Sequence, residues 1–94
     1  MTRPFLAAAL LLAVMALPAH AQCFADYKAK QDNPLRLHYG VAQIGACGDR
    51  KAAKQELKPR LAAGGWKLLN VLSTFGPEGL NERRSSAGDY FLRY

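Results

Sequence analysis

Apolar and polar residues alternate most clearly over residues 35–42. The apolar positions are Leu35, Leu37, Tyr39 and Val41. A period of two is typical of a half-buried β-strand, so these four side chains are predicted to face a core. His38, which lies between two of them, is then predicted to point toward solvent.

A different spacing begins after a glycine-containing loop at residues 45–48. Apolar residues recur every fourth position, at Ala53, Leu57 and Leu61, with lysine and arginine between them. This spacing predicts an amphipathic helix over residues 50–63, with Asp49 as its N-cap. Gly64 and Gly65 should end the helix, and Pro59 should bend it near residues 55–57.

The remaining segments complete an α+β fold. Residues 66–75 are largely apolar and predict a central strand, and residues 89–94 predict a final strand that forms a wide hairpin with it. Residues 24–31 are ambiguous: their composition favours a short helix, with a strand as the alternative. The order is therefore β-α-β-β, one helix packed on a three-stranded, mainly antiparallel sheet.

The first 21 residues have the layout of a secretory signal peptide. Arg3 precedes an uncharged apolar run at residues 5–17, and Ala19 and Ala21 offer small side chains for cleavage between Ala21 and Gln22. As a membrane anchor the run would be short, since its helix reaches about 20 Å against a hydrocarbon core of roughly 30 Å. We therefore predict a signal peptide at 1–21, one small domain at 22–94, no stable membrane insertion after cleavage, and a periplasmic or secreted location.

Charge and cysteine content fit this location. Of 13 basic residues only Arg3 precedes residue 22, so residues 22–94 carry 12 basic against 7 acidic residues, a net charge of +5. Cys23 and Cys47 lie 24 positions apart and are predicted to form a disulfide. Closing that loop stabilises a small domain by about 3.5 kcal/mol in the chain-entropy model. Because the cysteines and His38 have no zinc-like spacing, no metal site or cofactor is expected.

No catalytic residue is predicted. The sequence contains no serine elbow motif and no evident carboxylate pair, and Asp26 is interpreted as a solvated charge. A contact surface is a better candidate. Residues 76–88 predict a long loop with Leu80, Arg83 and Arg84, and the predicted helix exposes Lys54 and Lys58. The simpler alternatives are a mobile loop and a solvated helix face.

Residues 37–71 resemble the first half of a sporulation-related repeat (SPOR) domain. The matching positions are Gly40, Ala53, Leu57, Leu61 and Gly65. The resemblance implies binding to peptidoglycan glycan strands in the periplasm. Residues 61–71 are also similar to small uncharacterised βαββ domains in which the helix ends in Gly-Trp before a strand, and that similarity implies no particular activity.

These observations favour a non-enzymatic binding module. The expected partner is an unknown protein or an anionic polymer of the cell envelope, and a small secreted inhibitor or effector is a further alternative. Nucleic acid is not expected as a partner, because the predicted location is extracytoplasmic and basic residues do not alternate with aromatic ones.

Overall fold

Three strands form one sheet with the first strand at its centre. The computed structural model describes residues 22–94. Strands β1 (Cys23–Gln31) and β2 (Arg36–Ile44) are followed by helix α1 (Arg50–Ala63) and strand β3 (Lys67–Phe75). The strand order is β2-β1-β3, and β1 is antiparallel to both neighbours. The predicted α+β class and three-stranded antiparallel sheet are confirmed.

The first strand replaces the helix that its composition favoured. The alternative, a strand, is confirmed, because this segment lies between two buried layers. Ala25, Tyr27 and Ala29 face one layer, while Phe24 and Asp26 face the other, and all five are buried. Burial on both faces outweighs a helix preference of a few tenths of a kcal/mol per residue.

Helix α1 has the predicted bounds and caps. The Asp49 carboxylate accepts a hydrogen bond from the Lys51 amide at 3.0 Å. Ala53, Leu57 and Leu61 are fully buried. The helix ends at Gly64, and Gly65 follows with a φ of +85°, a left-handed conformation that glycine adopts without strain. The bend at Pro59 stays a prediction.

The main core lies between α1 and the first face of the sheet. The Tyr27 ring lies directly over Gly40 of β2, where a Cβ atom would overlap it. Trp66, Leu68 and Val71 pack into the same cluster. The predicted disulfide is confirmed: it joins Cys23, at the start of β1, to Cys47 in the loop before α1, with Cα atoms 5.4 Å apart.

The direction in which β2 faces differs from the prediction. Leu35 and Leu37, predicted to face a core, are 65% and 66% exposed. His38, Gly40, Ala42 and Ile44 face α1 instead, while Val41 is buried on the opposite, second face. Helix α1 therefore covers the face of β2 opposite to the one that carries Leu37 and Val41.

The structure from residue 76 onward differs from the prediction, as do the element order and the place of β3 in the sheet. Residues 76–88 are not a loop: they contain a 3₁₀ turn (Pro77–Gly79) and helix α2 (Asn81–Ala87), followed by a second 3₁₀ turn (Gly88–Tyr90). Residues 89–94 form neither a strand nor a hairpin. Instead Phe91 makes a single parallel bridge with Val41. The element order is therefore β-β-α-β-α, and β3 is an edge strand.

Helix α2 forms because the second face of the sheet also carries apolar side chains. Phe24, Val41 and Phe75 project from the three strands on this face. Ala87 is buried with them, and the partly buried Leu80 and Phe91 pack against this cluster. This second, smaller cluster makes the C-terminal region a cover for part of the sheet.

The predicted signal sequence and Ala21 of the predicted cleavage site lie outside the described residues. Secretion and location therefore stay predictions. Among residues 22–94, no helix is both long enough and apolar enough to span a membrane.

Candidate functional site

Helix α2 covers only part of the second face, and the uncovered part contains a groove of about 260 Å³. We call it the open groove. It is lined by Lys28, Ala29, Leu37, His38, Tyr39 and Leu69. Each strand of the sheet contributes at least one residue, so the geometry of the groove depends on the registration of all three strands.

A β-bulge places one wall of the open groove. Lys28 pairs with Asn70 and Ala29 pairs with Leu68, so Leu69 has no partner across the β1–β3 ladder. Leu69 is 42% exposed and lines the groove. Bulges commonly redirect a side chain next to binding sites, and this one places a leucine opposite the exposed Leu37.

Three lysines lie on the same part of the second face. Lys28 lines the groove, Lys30 lies two residues further along β1, and Lys67 pairs directly with Lys30 across the sheet. Lys30 forms an ion pair with Asp32 at 3.4 Å. Within residues 22–94, no ion pair involves Lys28 or Lys67. The groove therefore combines apolar walls with positive charge.

Tyr39 connects the groove to a buried carboxylate. The Tyr39 hydroxyl donates to Asp26 Oδ2 at 2.8 Å, and the Ser73 hydroxyl donates to Oδ1 at 2.6 Å. Burial raises the pKa of Tyr39 to about 12, with the hydrogen bond to Asp26 and its charge adding to the effect. The hydroxyl stays protonated at neutral pH, and its hydrogen bond to Asp26 fixes the ring as a wall of the groove.

Asp26 also fixes α2 to the sheet. Arg83 Nε donates to Asp26 Oδ2 at 3.1 Å, and the Arg83 guanidinium lies 3.9 Å from the centre of the Phe75 ring. Burial by itself raises the pKa of Asp26, but hydrogen bonds from Ser73, Tyr39 and Arg83, with the charge of Arg83, lower it below its ordinary value. The interpretation of Asp26 as a solvated charge was wrong, because both sheet faces are covered at its position.

His38 lies in an aromatic cluster and not in solvent, so that prediction was also wrong. The Tyr27 hydroxyl lies 2.9 Å from His38 Nε2. The imidazole stacks on Tyr90, with ring centres 3.7 Å apart, and meets Trp66 edge-on at 4.2 Å. Burial, with a smaller contribution from the charge of Arg93, lowers the pKa of His38 to about 4. The ring is therefore neutral at pH 7.

The residues predicted as a contact surface are separated by the sheet. Lys54 and Lys58 lie exposed on α1, on the first face. Leu80, Arg83 and Arg84 belong to the C-terminal cover on the second face. Of these three, Leu80 packs against the smaller cluster and Arg83 is held by Asp26. Arg84 is exposed and stacks on the Phe91 ring at 4.4 Å.

Lys54 helps to line a second cleft, also of about 260 Å³, between α1 and β3. The other residues around it are Arg50, Lys51, Asn70 and Val71. No ion pair among residues 22–94 involves the three basic residues of this cleft. It is a basic depression that an anionic group could enter.

Sequence reasoning did not identify the open groove. Leu37 was interpreted as a core residue and Leu69 as part of a central strand, and alternation alone does not show which sheet face is left uncovered. Comparison with known proteins adds no assignment: no family model, no curated protein and no solved structure gives a significant match to this chain.

Proposed function

We propose that this protein is a non-enzymatic binding module that works outside the cytoplasm and holds a partner in its open groove. The observation that carries the proposal is the uncovered part of the second sheet face. There, Leu37 and Leu69 are 66% and 42% exposed on either side of a depression. Fully burying an exposed leucine is worth roughly 1.5–3 kcal/mol, and each of these two can gain the part of that energy that corresponds to its exposed fraction.

Both outer edges of the sheet are poorly suited to the addition of another strand, which favours binding through the second face. The outer edge of β2 is occupied in part, since Phe91 bridges to Val41 and the Leu92 amide donates to the Val41 carbonyl at 2.8 Å. The pairing of β3 with β1 has two irregularities, at Leu69 and Leu72. Bulges in an edge strand hinder the addition of another strand. A partner is therefore expected to contact side chains of the groove.

The disulfide supports the extracytoplasmic part of the proposal. A bond between Cys23 and Cys47 forms and persists in oxidising compartments and is rare in a reducing cytosol. It agrees with the predicted signal peptide at residues 1–21. Mass spectrometry of the protein expressed from the full-length gene would test the cleavage and the disulfide. Cleavage predicts a chain that begins at Gln22, and the disulfide predicts that this chain carries no free thiol.

Site-specific photocrosslinking in the native cells tests the groove. A photoreactive residue replaces Leu37 in one variant and Lys58, exposed on α1, in the control. We expect a discrete adduct from position 37, identified by mass spectrometry and lost when Leu69→Asp is added. An adduct at both positions, or none at position 37, would contradict the proposal. A secreted inhibitor or effector, the alternative considered above, would give the same adduct with its target.

A second candidate function uses the basic cleft between α1 and β3. Arg50, Lys51 and Lys54 surround it, which favours an anionic polymer of the envelope, including the peptidoglycan binding that the SPOR resemblance implies. The purified protein would be incubated with cell-wall sacculi across a salt series. This function would be supported if the protein is retained on the sacculi, if Lys54→Gln weakens the retention, and if Lys28→Gln leaves it unchanged. Absence of retention at low salt would exclude it.

A further inference from the structure

The charges around the open groove are unfavourable for the isolated protein. Lys30 and Lys67 are direct cross-strand partners, and like charges in that position destabilise a sheet. Lys28 adds a third positive charge on the same face, and Asp32 neutralises only Lys30. A ligand with negative groups would relieve this repulsion, so the charge pattern favours an anionic partner.

The size of the open groove limits what part of an anionic partner can enter it. A volume of about 260 Å³ is smaller than most sites for whole small molecules, which span roughly 300–1,000 Å³. It suits a single large apolar side chain inserted between Leu37 and Leu69. Such anchor side chains dominate many protein interfaces.

The shape of the site distinguishes a protein from a membrane surface. A helix that binds a membrane surface buries a continuous apolar face in the headgroup and acyl boundary. Here the apolar side chains form the walls of a depression, which an anchor from the partner can fill. Lysines beside that depression can then reach residues that flank the anchor.

We propose that the open groove binds a protein segment in which one large apolar side chain is flanked by acidic residues. This inference rests on the function proposed above and names its partner class. Leu37, Tyr39 and Leu69 surround the apolar anchor. Lys28 and Lys67 contact the flanking carboxylates, while Lys30 remains shared with Asp32.

Three blocked pentapeptides serve as probes: Glu-Glu-Leu-Glu-Glu, Gln-Gln-Leu-Gln-Gln and Glu-Glu-Ser-Glu-Glu. Each is titrated into ¹⁵N-labelled, oxidised protein purified after expression of the full chain, and amide shifts are followed by NMR. We expect the acidic leucine peptide to shift Lys28, Leu37 and Leu69. Two exposed ion pairs predict an affinity at least about twofold higher than for the glutamine peptide, and the serine peptide should bind more weakly still.

Charge variants test the assigned lysines. Lys28→Gln and Lys67→Gln should each lower the affinity for the acidic leucine peptide about 1.5- to 5-fold. Lys58→Gln removes the same charge from the far side of α1 and should have a smaller effect. Equal losses of affinity in all three variants would mean that only the net charge of the protein affects binding, and this would overturn the assignment of the two lysines.

Other outcomes separate the two proposals. If all three peptides shift the groove equally, or if phosphatidylglycerol vesicles shift it and the peptides do not, the partner class is wrong while the groove remains a binding site. If the peptides leave the groove unchanged while a crosslinked partner is still found at position 37, the partner class is again wrong. If crosslinking at position 37 fails as well, the proposed function fails with it.

Discussion

His38 is a side chain whose protonation the fold controls directly. It is 8% exposed, and its imidazole lies between Tyr90 and Trp66. Burial, aided by Arg93, lowers the pKa of His38 from 6.5 to about 4. Between those pH values the unfolded chain binds a proton that the folded protein does not.

Acid should therefore destabilise the protein in a defined pH window. The contribution of neutral His38 is fully present above pH 6.5 and is lost as the pH falls to about 4, which lowers the free energy of unfolding by about 3 kcal/mol. Urea denaturation at several pH values between 7 and 4 measures the loss. His38→Gln should flatten the curve in this window. An unchanged slope in that variant would show that other groups cause the pH dependence.

Asp26 is predicted to contribute far more to the free energy of unfolding than an exposed aspartate of the same chain. Asp26→Asn removes the charged acceptor for Ser73, Tyr39 and Arg83, and should lower the free energy of unfolding by about 2 kcal/mol. Asp32→Asn, at an exposed turn, should change it by less than about 0.5 kcal/mol. Urea denaturation at pH 7 compares the two. Similar values would mean that the buried network does not stabilise the fold.

At the level of elements, the contact between β1 and β2 depends on a missing side chain. Gly40→Ala would place a Cβ atom against the Tyr27 ring, and we expect a loss of about 1–3 kcal/mol. Gly45→Ala is the matched control, because the nearest atom to its Cβ is Glu56 Oε1, at an ordinary contact distance of 3.6 Å. Thermal unfolding of both variants measures the difference. A Gly40→Ala variant as stable as the control would argue against close packing of Tyr27 on β2.

Helix α1 shows what local sequence can predict. Its cap, its four-residue apolar spacing and its terminal glycines lie within one continuous segment, so the bounds and the buried residues follow without knowledge of the rest of the chain. The disulfide was likewise predictable, since its prediction used only the even number of cysteines and the predicted extracytoplasmic location.

The elements that were mispredicted depend on distant residues. Strand β1 lacks an alternating pattern because Phe24 and Asp26 are covered by a C-terminal region that the chain reaches far later. Alternation in β2 showed which residues share a face of the strand. It could not show that α1 packs on the opposite face. The open groove was missed for the same reason. Leu37 is exposed because α2 does not cover its part of the sheet, and the local sequence does not show where that cover ends.

For the whole molecule, the important asymmetry is between the two faces of the sheet. The first face carries α1 along with the larger core, and the second carries the shorter α2 with a smaller cluster. Replacing Leu37 by Gln should therefore change the free energy of unfolding by less than about 0.5 kcal/mol, as for other exposed positions. Urea denaturation checks this, and a larger loss would assign Leu37 to the fold instead of to binding.

The bridge between Val41 and Phe91 has a consequence for proteolysis. An exopeptidase that removes residues 91–94 would uncover the outer edge of β2 and leave its Val41 carbonyl without the Leu92 amide. A chain truncated after Tyr90 should then self-associate, with light scattering rising with concentration, and Gln43→Lys on that edge should suppress the rise. A truncated chain that stays monomeric would contradict this expectation. On this expectation, four residues that belong to no strand keep the sheet from continuing into a second molecule.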